Sequence, residues 1–230
     1  ASRGLGDVYK RQLAGKPSLE IVHNPPTGKA MFAVTADETT LEGTAAVTLL
    51  LDLSGSMADN LAGTNKKKIE ETFDALETML GKLPRGTNLT IASFWGDTTI
   101  HTEVVAKEDW RGNQVQLDAL MKKVRKITPV EQANTPMAGS VRRLLAAGNP
   151  AGVWPADFTG NRTLVVLTDG EDNWENQYKE PAGKVVLDSL LDKANDDDPS
   201  LHVIFFGIEP AEEKRAVKQF EVLEDPEQFR

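Results

Sequence analysis

The sequence predicts an α/β fold: three layers, with a doubly wound, mostly parallel sheet between helices. Near-continuous apolar runs occur at Ala45–Leu53, in "RTLVVLTDG" and in "LHVIFFGI", and such runs mark strands covered on both faces. Apolar residues at helical spacing fill the segments between them. A chain that alternates strand and helix in this way builds a parallel sheet with helices on both sides.

Residues 1–15 read as a non-native or disordered tail. "ASRGLGDVYKRQ" sustains neither period, and "GLGDVYKRQ" resembles a translated sequencing-adapter remnant. Residues 16–44 read as a short β segment. Leu19–His23 and Ala30–Thr35 flank Asn24-Pro25-Pro26-Thr27-Gly28, a strong turn signal. Three arrangements fit it: a hairpin, the end of a preceding β domain, or an added edge of the main sheet. Residues 45–230 read as the main domain.

Ala45–Leu53 is its first strand. Ile69, Phe73, Leu76, Met79, Leu80 and Leu83 mark the first helix. "NLTIASFW" and "TIHTEVVA" read as a strand pair turning at Gly96-Asp97. Leu117, Leu120, Met121, Val124 and Ile127 mark a second helix. "TPMAGSVRRLLAAG" is a third, with Thr135 expected as N-cap, Pro136 at the first helical position and Gly148 at the end. Val186, Leu187, Leu190 and Leu191 mark a fourth, before the strand "LHVIFFGI", and "FEVLE" reads as a weak edge strand.

Composition narrows the function. With 26 basic and 35 acidic residues the net charge is -9, and a field of that sign repels nucleic acid and anionic membranes. Cysteine is absent, which excludes disulfides, thiolate chemistry and zinc–cysteine sites. No apolar run approaches the roughly 18 residues of a membrane span.

In a doubly wound sheet, ligands bind at the carboxyl ends of the strands, where strand order reverses. Asp52, Ser54 and Ser56 sit at the carboxyl end of the first core strand, Asp169 at that of "LVVLTD", and Thr135 on a loop entering a helix. Two carboxylates and three hydroxyls from three separate segments are expected to converge there. The set is all oxygen and short-armed, which suits a small hard cation such as Mg²⁺, with ligands at about 2.0–2.1 Å, or its near analogue Mn²⁺.

These residues carry a family resemblance. "DLSGS" resembles the Asp-x-Ser-x-Ser element of von Willebrand factor type A domains, "NTPM" their Thr loop, and "LTDGEDN" their Asp-Gly loop. Together they look like the metal-ion-dependent adhesion site of that family, in a bacterial-type member, over about Ala45 to the chain end. The resemblance implies the family's Rossmann-like fold. It implies hydroxyl ligands from Ser54, Ser56 and Thr135, with Asp52 and Asp169 acting directly or through water. It also implies a binding module, not an enzyme, whose cation captures an acidic side chain of a partner protein. A cell-envelope or extracellular place is favoured over the cytoplasm. Relatives usually end in a full amphipathic helix, whereas "DPEQFR" reads only as a first turn, capped by Asp225 with Pro226 and Glu227 following. The domain is therefore expected to lack its last helix, and to be less stable and more prone to associate than a longer protein.

Two other functions share parts of this pattern. A magnesium-dependent phosphatase of the haloacid-dehalogenase type needs a second Asp where this chain has Ser54, and neither a P-loop nor a Gly-x-Ser-x-Gly elbow is present. Some relatives of this family act instead as subunits of larger machines, beside ATPase-driven chelatase motors, and such a motor encoded next to this gene would favour that reading. Elsewhere, "KKK" at 66–68 reads as a solvated helix face and "NDDDP" at 195–199 as a solvated loop. Trp174 and Tyr178 read as rim or packing residues. His23, His101 and His202 show no ligand spacing, and His202 reads as a core or edge residue.

Overall fold

The computed structural model describes residues 18–24, 29–35, 45–146, 152–155, 158–170, 172–173, 190 and 200–207, the first two segments by backbone alone. Strands β1 (Ser18–Asn24) and β2 (Lys29–Thr35) pair antiparallel, Ser18 opposite Thr35 and Asn24 opposite Lys29. They form a two-stranded sheet of their own. The pairing is that of a hairpin and not of an added edge of the main sheet.

The main sheet contains β3 (Ala45–Asp52), β4 (Asn88–Gly96), β5 (Ile100–Asp109), β6 (Asn161–Thr168) and β7 (Leu201–Gly207) in the order β5-β4-β3-β6-β7. All neighbours are parallel except β4 and β5. The β4–β5 pair turns tightly after Gly96, as the alternation of its residues predicts. The chain steps from β3 to one side, and β6 then pairs on the other. The topological reversal therefore falls between β3 and β6, and the crevice at their carboxyl ends is the place for a ligand.

Side-chain alternation along β3 builds both helical layers. Leu49 and Leu51 face one cluster, with Ile69, Phe73, Leu76, Met79 and Leu80 of α1 (Lys68–Leu80) and Leu117, Leu120, Met121 and Val124 of α2 (Gln114–Val124). Ala46 and Leu50 face the other, with Met137, Ala138, Val141 and Leu144 of α3 (Met137–Leu145). Residues at successive strand positions point to opposite faces, so an unbroken apolar run is what a strand between two helical layers requires. Asn113 caps α2, its side chain accepting from the Gln116 N–H at 2.8 Å.

The start of α3 departs from expectation. Pro136, not Thr135, is the N-cap residue, and it makes no side-chain cap bond. The Ala138 N–H in the first turn instead donates to Asp172 Oδ2 at 2.8 Å. A carboxylate from a neighbouring loop thus replaces the local hydroxyl, a stronger acceptor against the positive helix end. Gly148, the fourth helix except Leu190, "NDDDP", Trp174, Tyr178, "FEVLE" and the segment after Gly207 lie outside the described residues. Leu190 is helical, and His202 is exposed on the outermost strand described, so it is an edge histidine.

Candidate functional site

At "DLSGS" the apolar β3 ends in a carboxylate and two serines follow it. The β3 backbone continues past Asp52, the Leu53 N–H donating to Phe94 O at 2.9 Å, while Leu53 O accepts the Val130 N–H at 2.9 Å. The Gly55 N–H then donates to Ala133 O at 3.0 Å. A Cβ at Gly55 would lie 3.0 Å from the backbone N of Gln132. Glycine is needed here because two main chains meet. That meeting carries the loop of residues 130–135 onto the turn after β3, and bonds between Gly96 and Asn134 hold the same loop at the end of β4.

Asp52 is fully buried. Its Oδ1 accepts the Ser54 N–H at 2.7 Å, and its Oδ2 accepts the Thr168 hydroxyl at 2.6 Å. The Ser54 and Ser56 hydroxyls lie 3.2 Å apart. The Ser56 hydroxyl donates to Asp169 Oδ1 at 3.1 Å. A continuous hydrogen-bonded chain therefore runs Thr168–Asp52–Ser54–Ser56–Asp169 across the ends of β3 and β6. Gly170, at φ +120°, turns the backbone sharply after Asp169, and its N–H donates to Thr168 Oγ1 at 3.1 Å.

Four of the five expected residues, Asp52, Ser54, Ser56 and Asp169, are thus joined directly. Thr135 is 3% exposed on the adjoining loop. Its N–H donates to Asn173 Oδ1 at 2.7 Å, which ties that loop to the one carrying Asp169. Burial pushes the Asp52 carboxyl up to about 7; the Thr168 hydrogen bond opposes this, and the Asp169 charge adds to it. Two carboxylates held apart from water with hydroxyls between them favour an added positive charge.

Lys68 corrects the reading of "KKK" as a solvated face. Only Lys67 is exposed. Lys66 pairs with Glu71 and Asp74, and Lys68 Nζ donates to Asp169 Oδ2 at 2.8 Å. Thr168, Asp172, Asn173 and Lys68 bond to the candidate residues or to the loops that carry them, and sequence reasoning passed them over. Asp172 and Asn173 lie within the quoted "LTDGEDN", and an acid and an amide in that loop were the available signal.

Asn173→Ala is expected to leave the buried Thr135 N–H without its acceptor. The cost should be about 1 kcal/mol, the low end for a lost partner, because Asn173 is exposed and water can enter. Urea unfolding checks it, and an unchanged midpoint would show that the clamp holds nothing.

Fold and site together define an α/β domain with an oxygen-lined crevice at the carboxyl edge of its sheet. The fold is that of von Willebrand factor type A domains. A von Willebrand factor type A protein from Catenulispora acidiphila superposes with a TM-score of 0.50 at 18% identity, over 87% of this chain and 42% of that one. The pilus adhesin SpaC from Lactobacillus rhamnosus GG superposes at 0.53 with 15% identity, over 93% of this chain and 32% of that one. The chain thus spans less than half the length of either. No protein-family model matches the sequence, and no curated protein is detectably similar to it.

Proposed function

We propose that Asp52, Ser54, Ser56, Thr135 and Asp169 hold one hard divalent cation, Mg²⁺ or Mn²⁺. On this reading the domain is a metal-dependent adhesion or assembly module. The observation that carries it is the hydrogen-bonded chain that joins Asp52 to the Ser54 N–H, and the Ser54 hydroxyl through that of Ser56 to Asp169. Its donors are all oxygen, as a hard cation prefers. Asp52 and Asp169 supply the anionic field, the hydroxyls supply neutral oxygens, and the clamped Thr loop brings a third hydroxyl. When bound, the cation would offer an open position to a carboxylate oxygen of a partner protein.

The pilus adhesin among the fold neighbours supports an adhesive role and a cell-envelope or extracellular place. The phosphatase alternative has Ser54 where it needs a second acid. Among the described residues, no helix is long and apolar enough to cross a membrane. Capture of a partner by the full chain in Mg²⁺, and its loss in EDTA, tests the reading. Equal capture in both conditions would count against it.

Thr135→Ala is expected to weaken that capture with little effect on folding. The hydroxyl does not cap α3, so the loss should stay below the ~1 kcal/mol of a missing cap. Calorimetric metal titration and a thermal melt on the same preparation separate the two effects. Normal metal binding in the variant would remove Thr135 from the ligand set.

A further inference from the structure

Lys68 opens α1, where a cation is disfavoured by the positive end of the helix dipole. The acids that follow, Glu70 and Glu71, suit that end. Lys68 does not turn into solvent. Its side chain is 17% exposed, and its ammonium meets a carboxylate that is 7% exposed. Asp169 therefore spends one oxygen on the Ser56 hydroxyl and the other on a full positive charge from a distant helix.

Charge counting gives this contact a meaning. Asp52 and Asp169 can carry two negative charges, and Lys68 returns one positive. Sodium or potassium carries no more charge than the ammonium it would displace, so such an exchange gains little. A divalent ion brings twice the charge and outcompetes it. With a divalent ion present and Lys68 retained, the site is net positive and attracts an anionic oxygen.

We infer, resting on the reading of a divalent-cation site, that Lys68 is its internal counter-ion. It holds Asp169 Oδ2 when the cation is absent and yields that oxygen when the cation enters, which makes the site selective for doubly charged ions. A residue that merely braced the fold would not loosen the site's grip on divalent cations, nor screen out monovalent ones.

The test is calorimetric titration of MgCl₂ and of MnCl₂ into the EDTA-treated, dialysed full chain at pH 8, with and without added KCl. Wild type, Lys68→Met and Lys68→Arg are compared, and Lys68→Gln replaces Lys68→Met if that variant fails to fold. Lys68→Met should bind both ions about tenfold more tightly, the order expected when a charge-assisted hydrogen bond no longer competes. Its affinity should also fall more steeply with KCl than that of wild type. Lys68→Arg should stay near wild type. Binding by Lys68→Met with none by wild type also supports the inference. Wild-type binding with an equal or weaker Lys68→Met isotherm overturns it while leaving the cation site standing. No binding by any of the proteins overturns both.

Discussion

Asp52→Asn is expected to abolish the binding of divalent cations while leaving the domain folded. The amide has the carboxylate's shape, so its oxygen still accepts the Ser54 N–H that now lies 2.7 Å from Oδ1. Its NH₂ group takes the place of Oδ2 and faces the Thr168 hydroxyl, which already accepts the Gly170 N–H. One hydroxyl proton loses its acceptor, and one buried charge disappears. These terms oppose each other. Near pH 5, where the folded Asp52 is mostly protonated, the lost acceptor costs about 1 kcal/mol. Near pH 8 relief of the buried charge outweighs it, and the variant should be the more stable protein. Cation binding has no such compensation, because one of its two anionic groups is gone. Asp52→Ala is the less discriminating substitution, since it orphans both the Ser54 N–H and the Thr168 hydroxyl and adds about 1–3 kcal/mol for each. Titration with Mg²⁺ and Mn²⁺ should give one site in wild type and no heat in Asp52→Asn. An isotherm unchanged by the substitution would remove Asp52 from the site.

The fold was legible because β3 and β6 are buried on both faces. Leu49, Leu50 and Leu51 cannot all be apolar on a half-exposed strand, so three consecutive leucines already require two covering layers. The residues of α1 fell at helical spacing for the same reason. The convergence of Asp52, Ser54, Ser56 and Asp169 was legible, since the carboxyl ends of buried strands gather polar groups in this architecture.

What escaped reading depends on contacts between distant segments. Lys68 sits in a run of three like charges, and sequence does not reveal which flexible stem finds a buried acid. Thr-Pro before an apolar helix matches the local signature of an N-cap, yet Asp172 supplies the acceptor from another loop. Tertiary partners override local capping signals where two loops are bonded together. Gly55 is legible as a turn residue, but its 3.0 Å approach to Gln132 depends on a loop some 75 residues away along the chain. Thr168 reads as an ordinary strand residue, and only its register beside β3 reveals that it anchors Asp52.

In EDTA, the domain should be more stable at pH 5 than at pH 8. The Asp52 carboxyl is pushed up from 3.8 to about 7, by burial and then by the Asp169 charge, against the Thr168 hydrogen bond. A raised carboxyl means that the folded state holds its proton more tightly than the unfolded state does. Its contribution is therefore fully present below pH 4 and is lost as pH rises through about 7. A shift of roughly three units corresponds to about 4 kcal/mol across that window, a large part of a typical domain's stability. Asp74 works in the opposite direction. Its pairing with Lys66 and Arg125 overcomes its partial burial and lowers its pKa, so its contribution is lost only in more acidic solution. It is also about half exposed and correspondingly screened. Saturating Mg²⁺ should reverse the slope. Protons compete with the cation for Asp52 below pH 7, and stabilisation by a bound ligand grows with its affinity. Urea unfolding at pH 5, 6, 7 and 8, in EDTA and in Mg²⁺, measures both slopes. Asp52→Asn should flatten both, because the titrating group is gone. A metal-free wild type that loses stability between pH 8 and pH 5, or an Asp52→Asn variant with the wild-type slope, would assign the pH dependence to other groups.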